Sequence, residues 1–396
     1  MPVVGAYRVE AISPFASCMR VRSLALVGNG WHPSLFREEA KALLGPIEAL
    51  HPRLAFVTQT DTVLDRILGA SLVDDVLHST SRLWTYDTEV TSEEVATYVE
   101  EWAGNFLPSG SFAVRARKLG LGITGLSRKE IENMVGERVS GEYSPVDLEN
   151  PDHEVVVILA GREEAPSHWD DAQQNQLVLW GIRDSRSRGS YTGASPTQRP
   201  FFKPVSLDPR LARLMVSLSL SGNPTSTVVD PFCGTGGIAI EASMLGMEVL
   251  ASDLDSRMVE GTLSNLEWAQ GLGGYSVEKR SADEIHNLWG AVPGCSFVFD
   301  PPYGRNAWSS DDGLGVLLGA LESARKMSPR GTVCTMLPSS PDALGGPVSD
   351  DLLVMGTNWG KLRDSILKTG WRVALCSPVR VHRSLSRLVV LCHPAD

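Results

Sequence analysis

The chain has 396 residues, 42% of them hydrophobic and 21% charged, with a formal net charge of −11 at neutral pH. That length allows two or three domains with ample core, and the composition is ordinary for a soluble globular protein. The acidic balance argues against a general nucleic-acid binder, because phosphate binding needs local Lys and Arg.

Basic residues are nevertheless clustered. Seven lie between Arg183 and Arg213 against Asp184 and Asp208, and seven more between Lys361 and Arg387 against Asp364 alone. A polyanion can be met by such patches on an acidic body, or the patches are ordinary solvated faces. The six cysteines (Cys18, Cys233, Cys295, Cys334, Cys376 and Cys392) form no C-x-x-C pair, so neither a zinc site nor a disulfide framework is expected. No metal is expected at all. The start Met1-Pro2-Val3-Val4-Gly5 has no basic region followed by an apolar stretch, and no apolar run approaches the about 20 residues of a membrane span. A cytoplasmic protein without a membrane partner is the expectation.

Residues 1–90 read as an α/β unit: a strand at Ala25–Val27, a helix from Ser34 as cap to Leu44, a strand at Leu54–Val57 and a short helix at Val63–Leu68. Residues 91–160 have their own pattern. Ser92-Glu93-Glu94 opens a helix, and Ser111 to Arg117 alternates like a strand, placing Arg115 and Arg117 on one face. Ser127 with Glu130 predicts a capping box, and Val155-Val156-Val157-Ile158-Leu159 is a buried strand. Phe112–Arg117 together with Val146–Leu159 resembles a THUMP domain, a module that grips the acceptor end of tRNA. The resemblance implies phosphate contact by Arg115, Arg117 and Lys118; a solvent-facing strand side is the plainer alternative. Residues 161–195 read as a linker, charged and ending in the turn-rich Ser190-Tyr191-Thr192-Gly193-Ala194-Ser195.

The remainder, 196–396, alternates strand and helix. Asp208 followed by Pro209 is a good helix start. Thr227-Val228-Val229-Asp230 is a strand running into Pro231-Phe232-Cys233-Gly234-Thr235-Gly236-Gly237, where glycine permits φ > 0 and a close backbone approach to a ligand. The spacing is not the dinucleotide fingerprint G-x-G-x-x-G. A second strand, Glu248–Ser252, ends in Asp253, placed to hold ribose hydroxyls. Asp283 follows a third short segment and is placed to meet an adenine amine. Cys233 has no base beside it, so packing is its expected role.

Phe297-Val298-Phe299-Asp300-Pro301-Pro302-Tyr303-Gly304 closes the set. Proline gives no N–H to a ladder, so the chain must leave the sheet at Asp300, at the edge where open α/β sheets bind ligands. The Asp300 carboxylate and the Pro301 carbonyl can each accept one N–H of a nucleobase amine, and Pro302 stiffens the loop. Tyr303 offers a flat face for the base. For the tetrapeptide alone, a strand-ending turn with a solvated Asp is an equal reading. In sequence order, however, the glycine turn, Asp253, Asp283 and Asp-Pro-Pro-Tyr resemble the class I S-adenosylmethionine-dependent amino-methyltransferases, with a Rossmann-like α/β fold of mostly parallel strands and an antiparallel last strand.

After that motif come a helix Leu314–Met327, a strand Thr332–Leu337, an unaligned polar stretch at 342–357 expected as a surface loop, a helix Trp359–Lys368 and strands at Arg372–Cys376 and Arg387–Cys392, the last antiparallel. R-P-F-F-K-P from Arg199, D-P-F-C-G-T-G-G from Asp230, D-P-P-Y-G from Asp300 and R-V-H-R-S-L-S-R from Arg380 together are similar to the archaeal tRNA (guanine-10-N2)-methyltransferases. This likeness spans about 90 to 396, and 1–90 only loosely. It implies methyl transfer from S-adenosylmethionine to guanine N2 in tRNA, at guanosine 10, once or twice. Asp230 and the turn of Phe232, Gly234, Thr235 and Gly236 would hold the methionine end, Asp253 the ribose and Asp283 the adenine. Arg199, Arg380, His382 and Arg383 would meet RNA. The partner implied is tRNA, with a small activating protein subunit as a further option. Three alternatives compete: N6-adenine methylation on RNA or DNA, guanine-N2 methylation at a different tRNA position or in ribosomal RNA, and a non-catalytic RNA-binding module.

Overall fold

The computed structural model describes residues 9–10, 23–58, 61–85, 90–141, 144–163, 175–187, 195–204, 206–222, 225–302, 310–340, 343, 348–382 and 385–395. The chain forms two compact units, one made mainly of residues 1–190 and the other mainly of 191–396.

In the first unit the order is β1 (Val9–Glu10), β2 (Ser23–Gly28), α1 (Pro33–Leu44), β3 (Glu48–His51), β4 (Leu54–Thr58), α2 (Asp61–Ile67), β5 (Val73–Trp84), α3 (Ser92–Phe106), β6 (Phe112–Leu119), α4 (Arg128–Val139), β7 (His153–Ala160) and β8 (Leu177–Arg183). One sheet runs β3-β4-β2-β5-β8-β7-β6, with β1 beside β5; β6 and β7 pair in parallel and the others antiparallel. The unbroken apolar run of β7 follows from burial on both faces. Val155, Val157 and Leu159 pack with Val95, Val99 and Trp102 of α3 and Ile131 and Val135 of α4. Val156, Ile158 and Ala160 join a second cluster with Leu77 and Leu179.

Two expectations change here. A division at residue 90 does not hold, since β2, β4 and β5 share one sheet with β6 to β8. Nor is 161–195 merely a linker: β8 lies between β5 and β7, with Trp180 only 1% exposed. The charged surroundings masked that apolar strand. Capping also differs. Ser127 makes no side-chain cap bond, and Glu130 instead accepts from the Ser92 hydroxyl at 3.0 Å. The capping box belongs to α3, where Thr91 and Glu94 satisfy each other's backbone N–H. At α1, Pro33 starts the helix and Nδ1 of His32, not Ser34, accepts from the Leu35 N–H.

The second unit contains α5 (Pro209–Ser219), β9 (Thr227–Asp230), α6 (Gly237–Met244), β10 (Glu248–Asp253), α7 (Ser256–Ala269), β11 (Tyr275–Lys279), α8 (Ile285–Trp289), β12 (Ser296–Phe299), α9 (Ser310–Met327), β13 (Thr332–Ser339), β14 (Leu353–Val354), β15 (Thr357–Asn358), α10 (Trp359–Lys368), β16 (Trp371–His382) and β17 (Leu385–Pro394). Strands β11, β10, β9, β12 and β13 run parallel, and β17 inserts antiparallel between β13 and β16. This is the expected mostly parallel sheet with a reversed last strand. Asp208 caps α5 through the N–H groups of Arg210 and Leu211, as its sequence predicts. Part of the unaligned stretch 342–357 is not surface loop: β14 and β15 form a hairpin joined to β13 at Ser339–Val354, and Val354 is fully buried.

The topology decides where a ligand goes. From β9 the chain moves out to β10 and β11, then returns to β12 on the other side of β9. Such a reversal, here at the carboxyl ends of β9 and β12, is where open α/β sheets bind ligands.

Candidate active site

The glycine turn follows β9 directly. Gly234 and Gly236 both have positive φ (53° and 76°), a region that costs other residues energy. A Cβ on Gly236 would come within 2.9 Å of the Thr262 side chain, so the turn lies tight against α7. That helix clamps it. The Thr262 hydroxyl donates to the Gly234 carbonyl at 3.0 Å, and Nδ2 of Asn265 donates to the carbonyls of Thr235 at 2.9 Å and Phe201 at 2.8 Å. Oδ1 of Asn265 accepts the Phe201 N–H at 2.9 Å. One buried amide thus ties the segment entering the unit to the turn. Asn265→Ala would leave buried backbone groups unmatched, at a cost of about 1–3 kcal/mol. We expect a lowered denaturant midpoint together with weaker donor binding in calorimetry; unchanged values would rule out the clamp.

Three carboxylates gather at the strand ends. Asp230 is 1% exposed and accepts the Phe232 N–H at 3.1 Å. Burial pushes its carboxyl well above the ordinary range, and the charges of Asp253 and Asp300 push the same way. Asp253 accepts the Gly234 N–H at 3.0 Å through Oδ2 and the Asp255 N–H at 2.9 Å through Oδ1. Asp300 ends β12, beside β9. Its Oδ2 accepts from Nη1 of Arg387 at 2.8 Å, while among the described residues its buried Oδ1 has no hydrogen-bond partner. Burial raises the Asp300 carboxyl, and the Arg387 guanidinium draws it part of the way back.

Around them, Phe232 stacks obliquely on Phe299, ring centroids 5.5 Å apart. Pro301 is buried and Pro302 half-buried; Tyr303 lies outside the described residues. Thr235 shares a hydroxyl–hydroxyl bond of 3.1 Å with Ser206. Cys233 is buried and its thiol is pushed far up by desolvation, which suits packing. Asp283 sits exposed on a turn after β11, hydrogen-bonded to the Ser281 hydroxyl. The tight turn thus lies beside the acidic side chains of Asp230, Asp253 and Asp300.

The residues expected to meet RNA divide. On β6, Arg115 donates to the Leu148 carbonyl at 2.7 Å and lies 3.4 Å from Glu154. Arg117 pairs with Asp75 and Asp74, and Arg183 bridges Asp75 and Glu154. Both β6 arginines are therefore matched by carboxylates within their own unit. Lys118 is exposed and lines a concavity with Ser127, Arg128 and Lys129. Arg380 is exposed on β16. Arg199 differs from expectation: it is 5% exposed, with its guanidinium at the first turn of α6, too buried for a surface phosphate contact. The His382 side chain and Arg383 lie outside the described residues.

Thr262, Asn265 and Arg387 are absent from the sequence-based set. Thr262 and Asn265 are three apart on one helix, a spacing that puts them on one face. Arg387 precedes the apolar run Leu388-Val389-Val390-Leu391, and a charge there signals a buried partner.

Comparison with known proteins supplies a second kind of observation. Residues 196–344 match the family of RMKL-like methyltransferase domains. The chain is 30% identical over 343 residues to the tRNA (guanine(10)-N2)-dimethyltransferase of Methanothermobacter thermautotrophicus, covering 86% of this chain and 83% of the relative. It is 32% identical over 243 residues to the tRNA (guanine(10)-N2)-dimethyltransferase of Pyrococcus abyssi, covering 60% and 67%. The crystal structure of TrmN from Thermus thermophilus superposes with a TM-score of 0.47 at 21% identity, over 94% of this chain and 99% of the other. Among the described residues, no helix is long and apolar enough to cross a membrane.

Proposed function

The chain belongs to the tRNA (guanine(10)-N2)-dimethyltransferase family, and from that premise we propose that it transfers methyl from S-adenosylmethionine to the exocyclic N2 of guanosine 10 in tRNA, twice in succession. One observation supports the assignment of chemistry: a buried carboxylate oxygen, Oδ1 of Asp300, has no partner among the described residues and lies one strand from Asp230 and the glycine turn. An oxygen in that state is costly unless a ligand N–H meets it.

In this reading Asp230 and the turn Phe232–Gly236 bind the methionine end of the donor, Asp253 the ribose and Asp283 the adenine. The donor supplies an electrophilic methyl on a cationic sulfur. Asp300 and the Pro301 carbonyl accept the two N–H groups of the guanine amine, which frees its lone pair from the ring. Pro301 and Pro302 keep both acceptors in place before substrate arrives, so little reorganisation is needed during transfer. Tyr303 covers the base, which has been turned out of its stack at a cost of a few kcal/mol. As the N–C bond forms the nitrogen becomes cationic, and its surplus proton passes to Asp300 or water. The first unit docks the tRNA, with Lys118, Arg128 and Lys129 as its phosphate contacts.

The test is methylation of unmodified tRNA transcripts with labelled donor, nuclease digestion and mapping of the labelled nucleotide. N2-methylguanosine and N2,N2-dimethylguanosine at position 10 are the expected products. N6-methyladenosine would replace this reading with its adenine alternative, label at another guanosine would move the position, and no label would leave an RNA-binding module.

A further inference from the structure

Arg387 stands in an unusual place. It lies on β17, inside the sheet, paired in register with Pro338 of β13 and Val379 of β16. Its guanidinium passes β13, with Nη1 3.4 Å from the Met336 sulfur, and reaches Asp300 at the end of β12. The side chains are only 11% and 18% exposed. An arginine held this far inside a sheet is expensive to desolvate, and replacing such a pair by apolar groups is often neutral or stabilising. Stability therefore does not explain it well. The geometry of the contact is more telling. Guanidinium and carboxylate commonly engage through two parallel bonds, but here, among the described residues, only Oδ2 is engaged and Oδ1 is left over.

We propose that Arg387 is the positioning residue for methyl transfer: from the antiparallel strand it holds Asp300 by one oxygen and so aims the other at the N–H of the target amine. The proposal rests on the reading of Asp300 given above. Its second consequence is electrostatic. A carboxylate accepts from an amine more strongly than a carboxylic acid does, and it better offsets the charge that develops on the nitrogen. The charged or titratable described groups facing Asp300 are Arg387 from β17 and Asp230 from β9, with Asp253 of β10 behind Asp230; Met336 of β13 is neutral. Burial opposes ionisation of Asp300, and Arg387 supports it.

The experiment compares the full-length parent with Arg387→Met, which keeps length and apolar stem, and Arg387→Lys, which keeps charge on a different head. Turnover of unmodified tRNA is followed across pH, and donor affinity is measured in parallel. For Arg387→Met the expected result is a kcat lower by about 10- to 100-fold, the loss of one charge-assisted bond. The acid limb of the profile moves to higher pH, because burial of Asp300 is no longer offset. Arg387→Lys recovers part of both, and donor affinity is unchanged throughout. In an Asp300→Asn background, which cannot titrate, Arg387→Met costs little further turnover. A structural role alone would lower activity at every pH with the acid limb unmoved, and its cost would persist in the Asp300→Asn background; either outcome overturns the proposal. Should Arg387→Met not fold, the acid limb of Arg387→Lys decides by the same criterion. If Asp300→Asn itself matches the parent, the reading of Asp300 fails; if only Asp300→Asn is impaired, this inference alone fails.

Discussion

Asp300→Ala is expected to lower turnover on unmodified tRNA by about 10²- to 10³-fold, with donor affinity kept near that of the parent. The argument is one of charge. A guanine amine is nearly neutral while bound and turns cationic as the methyl arrives, so an acceptor fixed beforehand at the strand end stabilises the transition state more than the ground state. Ala removes that acceptor and also takes from Arg387 a partner at 2.8 Å. Breaking a buried pair of this kind costs about 3–5 kcal/mol of stability, less for one still 11–18% exposed. Thermal unfolding must therefore be read alongside turnover. Asp300→Asn separates the effects, since it keeps the volume and an acceptor oxygen but not the charge. Near-parent turnover for Asp300→Ala, in a protein that remains folded, would refute the role given to this residue.

The strand-end acids were legible in the sequence for local reasons. An apolar run closed by Asp-Pro can only leave the sheet there, and both Asp230 and Asp300 carry that signature; glycine after β9 marks the turn in the same way. The unread features depend on distance along the chain. Arg387 meets a residue 87 positions away, and Asn265 joins Phe201 and Thr235 from 64 and 30 positions away. No window of neighbouring residues contains those pairs. Arg199 differs for another reason: its RNA contact is implied only by the likeness of R-P-F-F-K-P to a family motif, whereas the fold packs it against Gly237. The Ser127-Glu130 spacing was sound as a local pattern, yet Ser92 of a different helix took Glu130. Tertiary partners overruled local propensity at each of these places.

Asp253→Ala is expected to do the reverse of Asp300→Ala: donor affinity falls by about 10- to 100-fold, the loss of bonds to a charged acceptor worth about 1.5–3 kcal/mol, while tRNA binding is unaffected. Asp253 now spends Oδ2 on the Gly234 N–H and Oδ1 on the Asp255 N–H. Each oxygen retains a second lone pair, so ribose hydroxyls can add to these bonds without displacing them. The substitution acts twice, removing the ribose acceptor and releasing Gly234 at the centre of the turn. Asp253→Asn keeps one acceptor oxygen and is expected to lose less. Calorimetric titration with S-adenosylmethionine and filter binding with tRNA measure the two affinities. An unchanged donor affinity in Asp253→Ala would move the ribose elsewhere. Equal loss of donor and tRNA affinity would show that the turn had come apart. Taken with Asp300→Ala, the pair asks whether binding the donor and activating the amine are separable acts of two carboxylates at the ends of different strands, Asp253 held by backbone N–H groups of the loops and Asp300 by Arg387 of β17.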